Sequence, residues 1–350
     1  MVRRVAFAVP GDLSTPTGGY AYDRRMIAEL EKSGWTVDVV ALGDGYPRPS
    51  SESRATSLQR LMTVPEGQTI VVDGLAFGVL PDVATQLRRR NPLIALVHHP
   101  LALETGLDAE EAAALHSSEK AALAAAAHVV TTSAATARTV VASFAVAADR
   151  ITVVPPGTDP VAPARSSNDG VVRLLAVGSL VPRKGYDVLI AALATLADLR
   201  WHLTIAGDRG RDPATARRID DDIRRWDLAD RVAVVGAVPP ERITALYGAA
   251  DLFVLASRFE GYGMVYAEAI AHGLPVIGTT AGAIPETVPQ GAGVLVPPDN
   301  APALASALRG LIENPDERSR LAAAARAAAK KLPTWEASAQ LFSRAIEAVA

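Results

Sequence analysis

Residues 257–275, SRFEGYGMVYAEAIAHGLP, follow an apolar run at 251–256 that predicts a buried strand. Gly261 and Gly263 can adopt backbone angles that other residues avoid, so they predict a tight loop after this strand. Residues 264–271 then form a predicted short helix, and the His-Gly pair after it marks the helix end. A strand, a glycine loop and a helix N-terminus in succession predict an anion site, because free backbone amides point into the opening.

Two glutamates accompany this predicted anion site. Glu260 lies in the loop and Glu268 lies about one turn into the helix. Both carboxylates can face the same opening, where they would accept hydrogen bonds from sugar hydroxyls. The alternative is an ordinary strand–loop–helix unit with two solvated glutamates. The order Glu-Gly-Tyr-Gly, Glu268 and Gly-Leu-Pro-Val-Ile-Gly favours the binding site, because it resembles the signature of the family 4 retaining glycosyltransferases, two glutamates separated by seven residues.

The composition limits the classes of protein to consider. The chain has 350 residues, of which 49% are hydrophobic, enough for two packed domains. A net charge of −3 gives no support to nucleic-acid binding. The absence of cysteine excludes disulfides, thiol catalysis and cysteine-bound zinc, and it suits a cytoplasmic enzyme. The first apolar run stops at Pro10, so it is too short for a signal peptide or a membrane span. Peripheral contact with the inner face of a membrane remains an alternative.

Strands alternate with helices in both halves of the chain, which predicts two doubly wound parallel sheets. Residues 79–90 are predicted as one helix. The predicted strands are 5–9, 35–41, 69–72, 93–97, 128–132 and 151–154 in the first half, and 171–177, 201–206, 232–235, 251–255, 275–278 and 293–296 in the second.

The family resemblance implies the GT-B fold, an α/β architecture in which two Rossmann-like domains face each other across a cleft. We expect an acceptor-side domain at residues 1–160, a linker rich in proline, serine and glycine at 161–170, and a nucleotide-sugar-binding domain at 171–333. The resemblance implies that a last helix, at 334–350, crosses back to the first domain.

A second candidate motif follows the first strand of the second half. Arg183 and Lys184 supply the two kinds of cation that proteins use for phosphate. In the related family, the loop begins Gly-Arg-Leu and ends Lys-Gly, and its Arg and Lys hold the diphosphate. Lys184 matches that lysine, but Ser179 replaces the arginine after Gly178. Arg183 is therefore the candidate for the missing charge, and an ordinary charged surface loop is the alternative.

The resemblance implies roles for further residues of the second half. The amides of residues 263–265 would complete the phosphate site, Glu268 would bind the ribose, and Glu260 would contact the donor sugar. Family members usually bind the base through the backbone after the third strand of this domain, here near residues 236–238, and an ordinary strand-to-helix loop is the alternative. The implied donor-binding residues are Gly18, Gly19, Gly178, Ser179, Arg183, Lys184, Ala237, Val238, Glu260, Gly261, Tyr262, Gly263, Met264, Val265 and Glu268.

The first half supplies a candidate catalytic histidine. The family places a histidine beside the donor sugar at the end of the strand that corresponds to 93–97, and His98 matches it. An ordinary buried or surface histidine is the alternative. His99 and Glu104 are candidates for the acceptor side, and the pair at Gly18 and Gly19 fits a loop under the donor phosphate or the acceptor. The candidate catalytic residues are His98, Glu260, Arg183 and Lys184.

The sequence and the resemblance together predict a retaining, metal-independent hexosyltransferase that uses a nucleoside-diphosphate sugar and no cofactor. An Asp-x-Asp at 220–222 is a metal motif in another transferase fold, but it lies in a predicted helix and is interpreted as a solvated acidic face. A sugar-nucleotide 2-epimerase of the same fold and an inactive sugar-nucleotide-binding protein remain alternatives. We expect a monomer or a dimer, and a glycan, lipid or small molecule as acceptor. The sequence does not identify the base, the sugar or the linkage.

Overall fold

A computed structural model describes residues 3–164 and 169–350. The chain forms two compact units, Met1–Gly157 with Pro333–Ala350, and Thr158–Leu332. The linker predicted at 161–170 falls in part on residues 165–168, which lie outside the described residues.

The first unit contains a sheet of six parallel strands with the spatial order β2-β1-β3-β4-β5-β6. The strand β4 is an unbroken apolar run, and both β3 and β4 are fully buried, as expected for a sheet covered on both faces. The strands are β1 (Arg4–Pro10), β2 (Thr36–Gly43), β3 (Ile70–Asp73), β4 (Leu93–Val97), β5 (His128–Thr131) and β6 (Ile151–Val153). The helices are α1 (Gly18–Lys32), α2 (Ser51–Met62), α3 (Gly74–Phe77), α4 (Pro81–Leu87), α5 (Ala109–Ala125) and α6 (Ala134–Phe144).

The second unit repeats this plan with the spatial order β12-β11-β10-β7-β8-β9, again parallel throughout. Its strands are β7 (Val172–Val177), β8 (Trp201–Ala206), β9 (Val232–Gly236), β10 (Leu252–Val254), β11 (Val276–Thr279) and β12 (Gly293–Val296). Its helices are α7 (Tyr186–Ala194), α8 (Pro213–Arg225), α9 (Pro240–Ala249), α10 (Met264–Ala271), α11 (Ile284–Thr287), α12 (Ala301–Glu313) and α13 (Pro315–Ala329).

Both sheets reverse their strand order once. In the first unit β1 and β3 are neighbours, and in the second unit β7 and β10 are neighbours, while later strands are added outward on either side. The loops after such a pair diverge to opposite faces of the sheet and leave a crevice at the carboxyl ends of the strands, where ligands bind in open α/β sheets. Each unit therefore has one place where its topology favours a site.

The last helix, α14 (Trp335–Glu347), belongs to the first unit. The ring of Phe342 is fully buried and stacks on Phe7 of β1 with centroids 6.2 Å apart. The hydroxyl of Ser338 donates to the carbonyl of Pro155 over 2.6 Å. At Gly157 a Cβ would lie 2.2 Å from the backbone nitrogen of Trp335, so only glycine allows this approach. The first unit thus includes the C-terminal helix as part of its core.

Candidate functional site

The strand reversal of the second unit brings two loops together. The loop at 178–185 follows β7, and the loop at 255–263 follows its neighbour β10. At Gly185, where φ is +65°, a Cβ would lie 2.1 Å from the carbonyl oxygen of Ala256. The amide of Arg258 donates to the carbonyl of Arg183 over 2.8 Å. The two loops therefore contact each other through their backbones, and this contact positions the side chains that they carry.

Glu260 is the centre of an ion-paired cluster at this contact. Lys184 Nζ and the Ser257 hydroxyl each donate to Oε1 of Glu260 over 2.7 Å. Arg183 Nη1 donates to Oε2 over 3.2 Å and to the carbonyl of Phe259 over 2.9 Å. The sequence suggested separate roles for these charges, whereas the structure joins both cations to one carboxylate.

The Glu260 cluster is largely removed from water. The side chains of Glu260, Lys184 and Arg183 are 8%, 12% and 21% exposed. Burial alone would raise the pKa of Glu260, but Lys184 and Arg183 outweigh burial and lower this pKa to about 2. The cluster places a guanidinium and an ammonium group side by side, the two kinds of donor that bind phosphate in proteins.

The backbone around Glu260 is fixed on its other side as well. The amide of Ala283 donates to the Glu260 carbonyl over 2.9 Å. At Gly282, where φ is +56°, a Cβ would lie 2.3 Å from the same carbonyl oxygen. The hydroxyl of Thr279 donates to the carbonyl of Ser257 over 2.6 Å. The segment after β11 thus holds the loop that carries Glu260.

The start of α10 lies directly after this loop. Gly263 is the N-cap and has a φ of +88°, and a Cβ there would lie 2.8 Å from the ring of Tyr266. The first amides of a helix have no acceptor within the helix, so those of Met264 and Val265 are available to an anion. Gly261 is buried and Tyr262 half-buried, and the carbonyl of Tyr262 accepts a hydrogen bond from Thr287.

Glu268 lies on α10 beside a buried aromatic pair. The hydroxyl of Tyr247 donates to Glu268 Oε2 over 2.9 Å, and the ring of Tyr247 stacks on His272 with centroids 4.9 Å apart. Burial raises the pKa of Glu268, and the hydrogen bond from Tyr247 and the charge of Lys184 oppose that rise. Lys184 therefore acts on both glutamates of the motif.

The other candidate donor residues of the second unit lie along the same edge of its sheet. Tyr186 donates to the carbonyl of Gly178 over 2.7 Å, and a Cβ at Gly178 would lie 3.0 Å from Lys184 Cε. Ser179 follows Gly178 and is half-buried. Ala237 is exposed and Val238 half-buried in the turn after the edge strand β9, two strands away from β7.

His98 lies at the carboxyl end of β4 in the first unit, next to the strand reversal. Its Nε2 is 3.0 Å from Asp23 Oδ1 on α1 and 3.3 Å from Asp73 Oδ2 at the end of β3. Burial opposes a charge on the ring, but the two carboxylates outweigh burial and raise the pKa of His98 to about 10. Gly19 is within α1, next to Gly18, and faces the His98 ring, since a Cβ at Gly19 would lie in ordinary contact with His98 Cδ2 at 3.5 Å.

The acceptor-side candidates lie just after His98. His99 Nε2 is 3.8 Å from Glu104 Oε2 across a short 3-10 turn, Leu101–Leu103. Glu119 of α5 accepts a hydrogen bond from the amide of Leu101 over 3.0 Å, so this helix fixes the turn. Burial raises the pKa of Glu119 to about 8, which the hydrogen bonds from Leu101 and its neighbour oppose.

Two groups of acidic side chains contain residue types that bind metal ions, one around His98 and the other the Asp-x-Asp at 220–222. Ligand atoms of Asp23, Asp73 and His98 lie within 4.8 Å of one another. The imidazole Nε2 lies between the two carboxylates, while the second oxygen of Asp23, Oδ2, is buried without a hydrogen bond among the described residues. In the other group Asp220, on α8, accepts from Arg209 over 3.2 Å. No helix within 3–164 and 169–350 has the length and apolarity to cross a membrane.

Sequence reasoning missed four residues of these clusters, which are Asp23, Asp73, Ser257 and Tyr247. Asp73 had a usable signal, because an acid at the carboxyl end of a buried strand lies at the edge where sites form. Asp23 had none, since one acid within a helical pattern is normally solvated. Its burial goes with its proximity to side chains distant in sequence, His98 after β4 and Asp73 at the end of β3.

Comparisons with known proteins bear on both units. Residues 162–328 match the family described as glycosyl transferases group 1, and residues 70–161 match the one described as glycosyltransferase family 4. Mannosylfructose-phosphate synthase of Agrobacterium fabrum is 33% identical over 170 residues, 43% of this chain and 37% of that protein. D-inositol 3-phosphate glycosyltransferase of Nocardia farcinica is 31% identical over 258 residues, 68% of this chain and 57% of that protein. The chain spans about half the length of the curated relatives it matches.

Solved structures resemble the chain over its full length. Sucrose-phosphate synthase from Thermosynechococcus elongatus has a TM-score of 0.82 at 24% identity, over 99% of this chain and 100% of that chain. Anabaena HepE in complex with UDP and glucose has a TM-score of 0.78 at 20% identity, over 98% of this chain and 99% of that chain. At these identities the likeness shows the fold.

Proposed function

Because this chain belongs to glycosyltransferase family 4 and has the GT-B fold, we propose that it transfers a hexose from a nucleoside-diphosphate sugar to an acceptor hydroxyl. The bond between the anomeric carbon and the diphosphate oxygen breaks, and the acceptor oxygen bonds to the same carbon. The acceptor proton passes to an oxygen of the departing phosphate. This reaction retains the anomeric configuration and requires neither a side-chain nucleophile nor a metal ion.

The Glu260 cluster is the observation that carries this proposal. Negative charge develops on the departing diphosphate, and preorganised donors stabilise such charge best where water is excluded. Arg183 Nη1, Lys184 Nζ and the first amides of α10 are donors of this kind. Arg183 replaces the cation that is absent at Ser179. Glu260 orients both cations and offers its carboxylate to the donor sugar.

The remaining site residues follow from the same proposal. Glu268 accepts from the ribose hydroxyls, and the turn at Ala237 and Val238 borders the base. A structure of Anabaena HepE holds UDP-glucose, which supports a nucleoside-diphosphate sugar as the donor class. His98 takes part in catalysis from the first unit, whose loop at His99 and Glu104 we assign to the acceptor.

We further propose a cytoplasmic protein, monomeric or dimeric, that meets a glycan, lipid or small-molecule acceptor, with peripheral contact at the inner face of the membrane if the acceptor is a lipid. The absence of a strongly basic balance supports a partner other than nucleic acid. Binding of the donor class is tested first, by thermal shift with a panel of nucleoside diphosphates, because a bound ligand stabilises the folded chain.

Transfer without a metal is expected when the chain is incubated with the nucleotide sugar selected by that panel and a set of acceptors. Release of nucleoside diphosphate should depend on the acceptor and should be unchanged by EDTA, because the cations of the site are side chains. The anomeric configuration of the product is read by NMR coupling constants. Isomerised donor without transfer would select the 2-epimerase, binding without turnover would select the inactive protein, and loss of activity in EDTA would overturn metal independence.

Glu268→Ala is expected to weaken nucleoside-diphosphate binding by about 1–3 kcal/mol, because a hydrogen bond between a charged group and the ribose is lost. Tyr247→Phe should cost about 0.5–1.5 kcal/mol, because the carboxylate loses the hydroxyl that orients it. Isothermal titration calorimetry measures both changes.

A 2′,3′-dideoxynucleoside diphosphate provides the matched control for this assignment. The native chain should bind it more weakly than the ribonucleotide, and Glu268→Ala should bind the two alike. If the variant still prefers the ribonucleotide by the native margin, Glu268 does not contact the ribose.

A further inference from the structure

The imidazole of His98 is enclosed on several sides within the first unit. Nε2 lies between Asp23 Oδ1 and Asp73 Oδ2, and Cδ2 faces Gly19. The ring of Tyr22 meets it edge-on, with centroids 5.1 Å apart and an angle of 77° between planes. The side chain is 20% exposed, and the Nδ1–Cε1 edge is the part of the ring that these contacts do not cover. The ring therefore has one defined nitrogen that can reach a ligand.

Both carboxylates beside His98 are buried, with side chains 0% and 4% exposed for Asp23 and Asp73. A buried carboxylate is costly unless a positive charge or hydrogen bonds compensate it. Two carboxylates converge on one nitrogen, so Nε2 carries a hydrogen that both accept. Within residues 3–164 and 169–350, no hydrogen bond reaches Nδ1 of His98, and the side chain as a whole is 20% exposed. A protonated ring satisfies the two acids better than a neutral ring, and it makes Nδ1 a donor.

We infer that Asp23 and Asp73 are positioning residues that hold His98 as an imidazolium, with its Nδ1–H available to an oxygen of the bound substrate. The inference rests on the proposed function for the identity of that substrate. A charged N–H donor forms a shorter and stronger hydrogen bond to a sugar or phosphate oxygen than a neutral one. His98 would act as a fixed electrostatic donor that does not move a proton during the reaction.

The groups that face the ring support a lasting positive charge. Asp23 on α1 and Asp73 at the end of β3 are the acids in contact with it, and they outweigh burial in raising its pKa to about 10. Burial raises the pKa of the Tyr22 phenol well above its usual range, so this neighbour is neutral. Thr132, directly after β5, donates to the backbone carbonyl of His98 over 3.4 Å and adds no charge.

The protonation of His98 can be measured in the free protein by the 15N shifts of its imidazole, assigned by the signals lost in His98→Asn. In the native chain both nitrogens should keep imidazolium shifts from about pH 6 to pH 9, since neighbouring carboxylates favour the charged form. In Asp23→Asn the midpoint should fall by about 1–3 pH units, because one of the two charges is gone. Asp73→Asn should also lower the midpoint of the His98 titration. This second variant provides the test if Asp23→Asn does not fold.

The rate of transfer gives the functional readout. In the native chain kcat should show no alkaline loss due to His98 below about pH 9, whereas Asp23→Asn should lose kcat as its imidazolium titrates, with little change in the KM for the donor. Asp82→Asn is the matched control, because Asp82 is an exposed acid of α4 in the same unit. Its pH profile should equal that of the native chain.

The two measurements separate this inference from the proposed function. A native His98 that titrates near pH 6.5, or an unchanged midpoint in both Asp→Asn variants, would overturn the inference whatever the activity. If His98 shows imidazolium shifts but the chain transfers no sugar, the protonation of His98 by Asp23 and Asp73 would stand and the proposed reaction would be wrong. Loss of the imidazolium signals on adding Zn²⁺ or Mn²⁺, reversed by EDTA, would assign the three groups to a metal instead.

Discussion

Glu260→Gln is expected to lower the rate of sugar transfer by about 10²–10³-fold, the effect of removing one preorganised electrostatic group from an active site. Glutamine keeps the shape of the side chain and can still accept from Ser257. It does not supply the negative charge that orients Arg183 and Lys184 and that we assign to the donor sugar. The affinity for a nucleoside diphosphate should remain or increase, because the diphosphate no longer competes with a carboxylate for the two cations.

Transfer rates, calorimetric binding of the nucleoside diphosphate and chemical denaturation together test this expectation. Asp230→Asn, which removes an exposed carboxylate of the same unit, is the control and should change none of the three. A fall in nucleotide affinity as large as the fall in rate would contradict the assignment, because Glu260 would then serve only to hold the site in shape.

Gly185→Ala is expected to destabilise the second unit by about 2–5 kcal/mol. A left-handed backbone costs a residue with a Cβ about 1–2 kcal/mol, and overpacking adds about 1–3 kcal/mol. Here the added Cβ would lie 2.1 Å from the carbonyl oxygen of Ala256, which is backbone and cannot rotate away. Because this glycine follows Lys184 in the turn that contacts the Glu260 loop, nucleotide binding should fall with stability.

Gly248→Ala gives the opposite expectation in the same unit. Gly248 is within α9, and a Cβ there meets nothing within 4 Å, so alanine should stabilise the helix by about 0.5–1 kcal/mol. Urea denaturation followed by tryptophan fluorescence compares the two variants. Equal stability of Gly185→Ala and the native chain would show that the contact between the two loops can open at little cost.

The fold was largely predictable from the sequence, because parallel strands covered on both faces appear as short apolar runs. The prediction of two doubly wound sheets is confirmed. The helix predicted at 79–90 is wrong in extent, since the structure has α3, Gly74–Phe77, and α4, Pro81–Leu87. Leu80 lies outside helical geometry, with φ −120° and ψ 46°, and Pro81 starts the second helix. The apolar pattern continues through this break and hides it.

The candidate site was predictable in its residue types and not in its pairings. Arg183, Lys184 and Glu260 were each identified from a local motif, and the assignment of each to the donor remains a proposal. Their ion pairs join segments more than seventy residues apart, and only the neighbouring positions of β7 and β10 bring them together. Local spacing therefore supplies the ligand chemistry, and the strand order determines which charges meet.

The packing of α14 into the first unit has a consequence for biosynthesis. During synthesis, strands β1–β6 emerge from the ribosome early. The helix α14, whose Phe342 covers Phe7, emerges only after the entire second unit has been made. The nascent first unit therefore waits with an incomplete interior, and chaperones that shield apolar surface have their longest opportunity to act there.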